Sequence, residues 1–257
     1  MSSGDRLPIA QQPIIGASPR CAAGVLLAAI ALAGLWQWRH TAVKAEDRVC
    51  LLTGFEPFGE NKTNASWEML QPLSGRTIAG YRIATARLPV VYDELARPLL
   101  EAIEQHKPQL VIGFGLGGPV VEVELLARNG YNQKQLPDNT GRPPPRAEIL
   151  PGGPAEIPTQ LPAAAILRAL QEARIGARES RDAGGYLCNE CFYRLMALPA
   201  WHGLPGREHG QDARATRGFV HVPAIGAPDP AGGTFTLEKL QEAVRIIVEQ
   251  TARANGK

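Results

Sequence analysis

The sequence Val49-Cys-Leu-Leu-Thr53 is a continuous apolar run that ends at Gly54. A strand covered on both faces shows such a run instead of alternating apolar and polar residues, which indicates a buried strand of a parallel sheet. Similar patterns recur along the chain and are separated by helical ones. We therefore predict an α/β fold, a three-layer α/β/α sandwich with a mostly parallel central sheet. The other predicted strands are 81–90, 109–113, 120–127, 177–180 and 218–223, and the predicted helices are 91–106, 160–173 and 235–254.

Three local signals refine this outline. Pro98 lies inside the predicted helix 91–106 and predicts a kink, because proline lacks the backbone N–H. Asn64 is placed to cap a short helix. Residues 129–158 are rich in proline, glycine and asparagine and predict a long loop, of the kind that forms lids or binding elements.

An uncharged, apolar segment covers residues 21–38 and ends with Trp36 and Trp38. Its length is at the lower limit for a membrane-spanning helix, which needs about 17 to 25 residues, and tryptophan is typical of the membrane interface. We therefore predict an N-terminal hydrophobic helix that serves as a transmembrane anchor. A cleaved signal peptide is the main alternative, because Val43-Lys-Ala45 resembles a cleavage site. A helix buried in the fold is the third.

This segment divides the chain into a polar tail at 1–20, an anchor or signal segment at 21–38, a linker at 39–47 and a globular domain at 48–257. Both leading hypotheses take the protein to a membrane, where it is either anchored or exported. The formal net charge is +2, and residues 1–45 alone carry four basic residues against one acidic residue. The globular part is therefore close to neutral, which argues against a nucleic-acid partner.

Cys188 is the first candidate catalytic residue. It follows Gly184-Gly-Tyr-Leu187 and opens a run, Asn189 to Leu198, whose apolar residues recur at helical spacing. A thiol in the first turn of a helix feels the positive end of the helix dipole and the unpaired N–H groups, which favour the thiolate. The alternative is a buried structural cysteine, since free cysteines commonly behave as small apolar residues.

Two polar residues near the ends of predicted strands complete a triad with Cys188. Glu124 shares a strand face with Glu122, so that one of these carboxylates needs a partner. His221 lies near the end of strand 218–223. A cysteine nucleophile needs a base, and the base needs an orienting acceptor, so these residues predict a Cys-His-Glu triad. The glycine-rich run 113–118 is not followed by a helical pattern, which argues against a nucleotide-binding loop.

Four motifs together resemble the pyroglutamyl peptidase I family, also called pyrrolidone-carboxylate peptidases. The first and last motifs are the most specific, and the resemblance extends from about residue 48 to residue 253. The motifs are Thr53-Gly-Phe-Glu-Pro-Phe-Gly59 with Asn64-Ala-Ser-Trp-Glu68, Gly113 to Gly118 followed by Glu124, Leu136-Pro-Asp-Asn139, and Tyr186-Leu-Cys-Asn189 with Phe219-Val-His-Val-Pro223.

The resemblance implies a cysteine peptidase that removes an N-terminal pyroglutamyl residue from peptides and needs no cofactor or metal. Cys188 would attack the pyroglutamyl carbonyl, and His221 would act first as a base and then as an acid. Glu124 would orient the imidazole, and the backbone N–H of Cys188 would donate to the oxyanion. Gln135 stands where many family members have an arginine linked to the oxyanion site, so we assign Gln135 to that site.

The same resemblance implies a pocket for the uncharged lactam ring, with apolar walls and amide partners in place of a carboxylate. Family members are commonly cytosolic and oligomeric, so a homo-oligomer is expected and a cytoplasmic location is the family default, from which the N-terminal segment departs. A second departure is Glu124-Leu-Leu-Ala-Arg-Asn129, where the family commonly has Glu-Arg-Val-Ala-Ile-Asn. The implied pocket residues are Phe55, Phe58, Asn64, Tyr186 and Leu187.

Two hypotheses from other classes stay open. The first is a family-like binding protein that has lost catalysis, for which the change at Gln135 is the best support. The second is a redox or metal module built on Cys188 and Cys191, although no second cysteine pair supplies four zinc ligands. If the domain is exported, Cys188 and Cys191 could also form a disulfide, but their spacing on one helix makes that geometry poor.

Overall fold

The computed structural model describes residues 48–132, 134, 136–198 and 215–256. The tail at 1–20, the apolar segment at 21–38, the linker at 39–47 and Gln135 lie outside these ranges. The predictions made for them, including the N-terminal hydrophobic helix, therefore have no structural support and stay predictions. Within the described ranges, none of the helices has both the length and the apolar character needed to span a bilayer.

The central sheet is built around the buried strand that the sequence predicts. Val49 to Thr53 are all at most 4% exposed. The strands of this sheet are β1 (Val49–Phe55), β2 (Thr77–Ile78), β3 (Tyr81–Leu88), β4 (Leu110–Leu116), β5 (Val121–Glu124), β8 (Ala177–Ser180) and β9 (Thr216–Val222), and a separate pair consists of β6 (Leu126–Arg128) and β7 (Glu156–Pro158).

The described strands of the central sheet lie in the order β2-β3-β1-β4-β9-β5-β8. Strands β3, β1, β4 and β9 are parallel to their neighbours in this series. Strand β5 is antiparallel to β9 and parallel to β8, and the short β2 is antiparallel to β3. The mostly parallel sheet is confirmed, and the reversal at β5 is a feature that the sequence did not indicate.

Helices cover both faces of this sheet. Alternate residues of β1 accordingly belong to two separate apolar clusters, one on each face. Cys50 and Leu52 belong to one cluster, and Val49 and Leu51 to the other. The helices are α1 (Ala65–Glu68), α2 (Ala96–His106), α3 (Ala163–Glu172), α4 (Leu187–Met196) and α5 (Leu237–Asn255). Residues of α1, α3 and α5 pack in the first cluster, and residues of α2 and α4 in the second. This arrangement gives three layers.

Three boundaries differ from the sequence-based prediction. Helix α2 begins at Ala96 instead of residue 91, so Pro98 lies in its first turn. A backbone N–H there would have no intrahelical acceptor in any case, and the predicted kink is wrong. The predicted strand 120–127 divides into β5 and β6, and the second part pairs with β7, which lies inside the segment predicted as loop.

Candidate active site

Cys188 is the second residue of helix α4. Tyr186 precedes the helix in an extended conformation, and its carbonyl accepts the first helical hydrogen bond from the N–H of Glu190 at 3.1 Å. The N–H groups of Leu187, Cys188 and Asn189 come before that bond and are the orphan donors of the first turn. The sequence-based placement of Cys188 at a helix start is therefore confirmed.

Two glycines precede this helix, and each position requires glycine for a different reason. Gly184 has a φ of +74°, which favours a residue without Cβ. At Gly185 a Cβ would lie 2.3 Å from the backbone nitrogen of Asn132. Gly185 therefore allows a close approach of two backbone segments just before the nucleophile.

Asn189 fixes the start of helix α4 to the neighbouring β6 segment. Its Oδ1 accepts from the N–H of Arg128 at 3.1 Å, and its Nδ2 donates to the carbonyls of Arg128 at 2.8 Å and Gly130 at 3.0 Å. The residue is 1% exposed. Because all three bonds go to backbone groups, they fix the first turn of α4, which carries Cys188, relative to the β6 segment.

His221 and Glu124 form the second part of the site. His221 Nδ1 lies 2.7 Å from Glu124 Oε1, and both side chains are buried. The hydrogen bond to Glu124 fixes Nδ1 as the protonated nitrogen, which leaves Nε2 available to Cys188. The structure thus brings together the three residues that the sequence predicts as a triad, Cys188, His221 and Glu124.

The reversed direction of β5 explains how Glu124 reaches the histidine. His221 on β9 is directly opposite Glu122 on β5, and Val220 is opposite Val123. Glu124 is therefore a diagonal neighbour of His221 on the same face of the sheet, a distance that a long side chain spans.

The electrostatics of the triad favour a charged imidazole. Burial lowers the pKa of His221, but the neighbouring Cys188 and the hydrogen bond to Glu124 outweigh it, and the net effect is a raised pKa. Glu124 is fully buried, and its Oε2 has no hydrogen-bond partner among the described residues. The site can thus hold a charged imidazole between Cys188 and Glu124.

Glycines of β4 and the following turn form the floor under these residues. A Cβ at Gly115 would lie 2.7 Å from Cys188 Sγ, and a Cβ at Gly117 would lie 2.7 Å from His221 Cδ2. Cys188 and His221 therefore occupy space that any side chain at these two positions would need. The glycine-rich run serves close packing, and β5 follows it instead of a helix, as expected for a run that binds no nucleotide.

The triad faces a cavity of about 320 Å³, a size suited to a small ligand. Cys188 and His221 line it, whereas Glu124 lies behind the histidine. All five pocket residues implied by the family resemblance also line it, namely Phe55, Phe58, Asn64, Tyr186 and Leu187. Of the predicted site residues, Gln135 lies outside the described residues, so its assignment to the oxyanion site stays a prediction.

Hydrogen bonds fix the polar members of the cavity wall. Asn64 is 1% exposed, and its Oδ1 accepts from the N–H and the hydroxyl of Ser66, at 3.1 Å and 2.8 Å. This confirms the predicted helix cap. Asn64 Nδ2 uses one hydrogen on the carbonyl of Glu56 at 3.0 Å, so the second hydrogen can serve a ligand. Tyr186 donates its hydroxyl to the carbonyl of Pro137 at 3.1 Å.

A metal could be considered at Glu122, Glu124 and His221, since one ligand atom from each lies within 4.8 Å of the others. The contacts already present argue for a different use. Glu124 Oε1 is bonded to His221, and Glu122 Oε1 is paired with Arg178. Binding a cation would break the hydrogen bond that orients the base.

A sequence profile described as pyroglutamyl peptidase matches residues 48–254. The chain belongs to the pyroglutamyl peptidase family. This membership confirms the resemblance seen in the four motifs, and it favours a thiol hydrolase over the redox or metal module.

Relatives of this pyroglutamyl peptidase family member cover its globular part. A pyrrolidone-carboxylate peptidase of Gloeobacter violaceus is 39% identical over 177 residues, which are 68% of this chain and 81% of the relative. Pyrrolidone-carboxylate peptidase 1 of Ralstonia nicotianae is 36% identical over 208 residues, 79% of this chain and 92% of the relative. The crystal structure of pyroglutamyl peptidase I from Bacillus amyloliquefaciens superimposes with a TM-score of 0.71 at 30% identity, covering 81% of this chain and 98% of that one.

Two residues important for the cavity were not singled out from the sequence. Glu56 Oε1 accepts from the N–H of Val90 at 2.9 Å and from Asn139 Nδ2 at 3.0 Å, and Asn139 Nδ2 also donates to the carbonyl of Pro57 at 2.9 Å. Glu56 and Asn139 thus hold the loop that carries Phe58. Both lie inside the quoted motifs, which was the available signal.

Proposed function

We propose that this pyroglutamyl peptidase hydrolyses the amide bond after an N-terminal pyroglutamyl residue of peptides, with Cys188 as nucleophile, His221 as acid and base, and Glu124 as the orienting carboxylate. One observation carries the proposal. Cys188, His221 and Glu124 come together beside a cavity of about 320 Å³ whose lining includes aromatic and apolar side chains and an amide.

The first half of the reaction forms an acyl-enzyme. The Cys188 thiolate attacks the pyroglutamyl carbonyl carbon, and the negative charge moves to the carbonyl oxygen, where the N–H of Cys188 donates to it. The imidazolium of His221 then gives its Nε2 proton to the leaving nitrogen. The carbon–nitrogen bond breaks, the shortened peptide leaves with a new amine, and a thioester remains.

The second half is hydrolysis of the thioester. His221, now neutral, takes a proton from water, and the hydroxide attacks the acyl carbon. Collapse of the second tetrahedral species releases free pyroglutamate and restores the thiolate–imidazolium pair. Glu124 keeps its hydrogen bond to Nδ1 through both halves and stabilises each imidazolium form.

The lactam fits the remaining walls of the cavity. Phe55 and Phe58 supply apolar surface for the ring, and Asn64 offers an amide hydrogen to its carbonyl. Tyr186, whose ring lies 6.1 Å from that of Phe58, and Leu187 complete the enclosure. The rings of Phe55 and Phe58 offer a free N-terminal ammonium no acceptor, so this part of the wall favours the uncharged, cyclised residue.

The deciding experiment is hydrolysis of pyroglutamyl-aminomethylcoumarin by the full chain with dithiothreitol, beside Cys188→Ala. We expect turnover in the wild type and a loss of at least about 10³-fold in the variant. Folded, reduced wild-type protein without turnover would overturn the proposal. If it still bound pyroglutamyl peptides, it would support the alternative of a binding protein that has lost catalysis.

We further propose that residues 48–257 are the catalytic domain and that residues 21–38 take it to a membrane, as an anchor or as an export signal. Cell fractionation of the full chain and of a variant with Leu27→Arg tests this, and recovery of both in the soluble cytoplasmic fraction would contradict it. If the domain is exported, activity should depend on reductant, and Cys191→Ser should remove that dependence.

A further inference from the structure

Apart from His221, the charged side chains that line the cavity are acidic. Among the described lining residues, Glu122 and Asp182 are acidic, His221 belongs to the triad, and none is lysine or arginine. The pyroglutamyl ring is uncharged, so neither carboxylate has a use in ring binding. Each carboxylate also pairs with an arginine through one oxygen, Glu122 with Arg178 and Asp182 with Arg128, so the remaining oxygens decide what else they can bind.

The floor of the cavity shows where Glu122 lies relative to the chemistry. A Cβ at Gly115 would contact Cys188, a Cβ at Gly117 would contact His221, and a Cβ at Gly118 would lie 2.5 Å from Glu122 Oε2. Successive glycines at and after the end of β4 therefore contact Cys188, His221 and Glu122, in that order. Glu122 is on the side of the histidine away from Cys188.

The two oxygens of Glu122 have different environments. Arg178 directs both its Nε, at 2.8 Å, and an Nη to Oε1. Oε2 lies beside Gly118 and has no hydrogen-bond partner among the described residues. The Glu122 residue is only 7% exposed, whereas the Arg178 side chain is 60% exposed. Glu122 lines the cavity, so Oε2 can accept from water or, in its place, from a donor of a bound substrate.

The mechanism specifies what comes closest to Oε2. His221 delivers its proton to the leaving nitrogen, so this nitrogen lies next to the imidazole and the residue attached to it extends beyond the histidine. Building on the proposed function, we propose that Glu122 is a specificity-determining residue that selects pyroglutamyl peptides whose second residue is lysine or arginine. The cationic side chain donates to Oε2.

Asp182, the other acidic lining residue, makes a smaller contribution. Its side chain is 68% exposed, and its Oδ1 is already engaged by Arg128 at 3.1 Å and by the N–H of Gly184 at 3.0 Å. Water screens an exposed carboxylate of this kind. The selectivity therefore depends mainly on Glu122.

The test compares kcat/KM of the full chain for pyroglutamyl-Lys-Ala-amide and pyroglutamyl-Glu-Ala-amide, with pyroglutamyl-aminomethylcoumarin as a substrate without a charged second residue. We expect the wild type to prefer the lysine peptide about fivefold. Glu122→Gln should bring the ratio close to one. Arg178→Gln should raise the ratio above the wild-type value, because it removes the competing cation.

Glu179→Gln is the matched control. Glu179 is exposed, and it pairs with Val123, so it lies on the sheet face opposite to Glu122. This variant should keep both the ratio and the activity on the coumarin substrate. Because each ratio is taken within one variant, a general loss of activity cancels.

The outcomes separate the two proposals. No hydrolysis of the coumarin substrate by the wild type would refute the proposed function. Hydrolysis of that substrate with equal kcat/KM for the two peptides would overturn the role of Glu122 and leave the function intact. If Glu122→Gln failed to fold, as judged by thermal unfolding, an unchanged or lower ratio in Arg178→Gln would overturn the inference.

Discussion

Helix α4 contacts two clusters of charged side chains, of which one opens onto the cavity and the other is held together by arginine–carboxylate pairs. In the first cluster Cys188 and His221 open onto the cavity, and Glu124 keeps one buried oxygen without a partner. The second cluster starts two residues after Cys188. Glu190 is fully buried, its Oε1 accepts from Arg194 Nε at 2.8 Å, and Arg194 also donates to Asp93 at 2.8 Å.

Further hydrogen bonds to Asp93 and Glu190 complete the second cluster. Arg146 binds both carboxylate oxygens of Asp93, at 2.6 Å and 2.7 Å, and the N–H of Asp93 donates to Glu190 at 3.2 Å. Desolvation raises the pKa of Glu190, and Arg194 opposes that rise. Similar residue types thus serve two ends. The second cluster holds the helix in place through its arginine–carboxylate pairs, and the first opens onto the cavity where a substrate can bind.

The largest expected effect comes from a substitution that disrupts the first cluster alone. Glu124→Gln removes the charge that stabilises the imidazolium and disturbs the choice of tautomer, so kcat/KM should fall by roughly 10³-fold or more. The melting temperature should change little, since a neutral amide of the same shape replaces a partly unsatisfied carboxylate. Kinetics with pyroglutamyl-aminomethylcoumarin and thermal unfolding measure both, with Glu179→Gln as the control. A variant that lost stability but kept activity would reverse our assignment of the clusters.

The second prediction breaks the other cluster. Arg194→Met leaves Glu190 buried without its cation, and the free energy of unfolding should fall by about 3–5 kcal/mol. Activity per folded molecule should stay within about twofold of the wild type at a temperature where the variant is folded. Urea unfolding and kinetics measure the two quantities. Arg97→Met on the exposed side of α2 is the matched control, since that side chain is 86% exposed. A stable but inactive Arg194→Met variant would show that this cluster positions Cys188.

The two clusters should also lose stability at opposite ends of the pH range. The pKa of His221 is raised in the folded state, so its contribution is complete below the ordinary value near 6.5 and is lost as pH rises through the raised pKa. The hydrogen bond from Arg146 holds the pKa of Asp93 below its ordinary value, so that contribution is lost as pH falls. Cys188→Ala should flatten the alkaline decline of the unfolding free energy, and Arg146→Gln should flatten the acid decline.

A direct titration checks the histidine side of this comparison. Imidazole NMR of His221 should show a lower pKa in Cys188→Ala than in the wild type, because Cys188 is the strongest of the influences that raise it. Equal values in the two proteins would contradict a thiolate–imidazolium pair.

The smallest expected effect concerns Asn64, which is both a saturated cap and part of the cavity wall. Asn64→Ala should cost about 1 kcal/mol of stability through loss of the cap. Asn64→Ser keeps a capping oxygen and should retain most of that stability. If the amide also binds the lactam, KM should rise severalfold in both variants. Recovery of the wild-type KM in Asn64→Ser would leave the residue with its capping role only.

Much of this architecture was predictable from local patterns. The apolar run at Val49 predicted a strand buried on both faces, and the glycines before Cys188 predicted its place at a helix start. The triad could be predicted because Glu124 and His221 both lie near strand ends and because the family motifs contain them. These features depend on residues close together in sequence, for which burial and capping leave a clear pattern.

The remainder depends on long-range pairing, which a local pattern does not encode. The reversal of β5 is set by its hydrogen bonds to β9, almost 100 residues away, and nothing in Val121–Glu124 distinguishes the two directions. The same holds for the ion cluster, because Asp93 and Arg194 are 101 residues apart. Glu122 was noticed as the neighbour of Glu124, but the oxygen that it presents to the cavity follows from the position of Arg178.

The glycine floor limits how such an enzyme could be engineered. Because Gly115 and Gly117 have no room for a Cβ beneath Cys188 and His221, a randomised library that includes these positions will return glycine at both among its active clones. New substrate preferences would have to come from the walls, through Phe58 around the ring and Glu122 beyond the scissile bond. The chemistry and the selectivity are therefore carried by separate surfaces, and the second can be redesigned without touching the first.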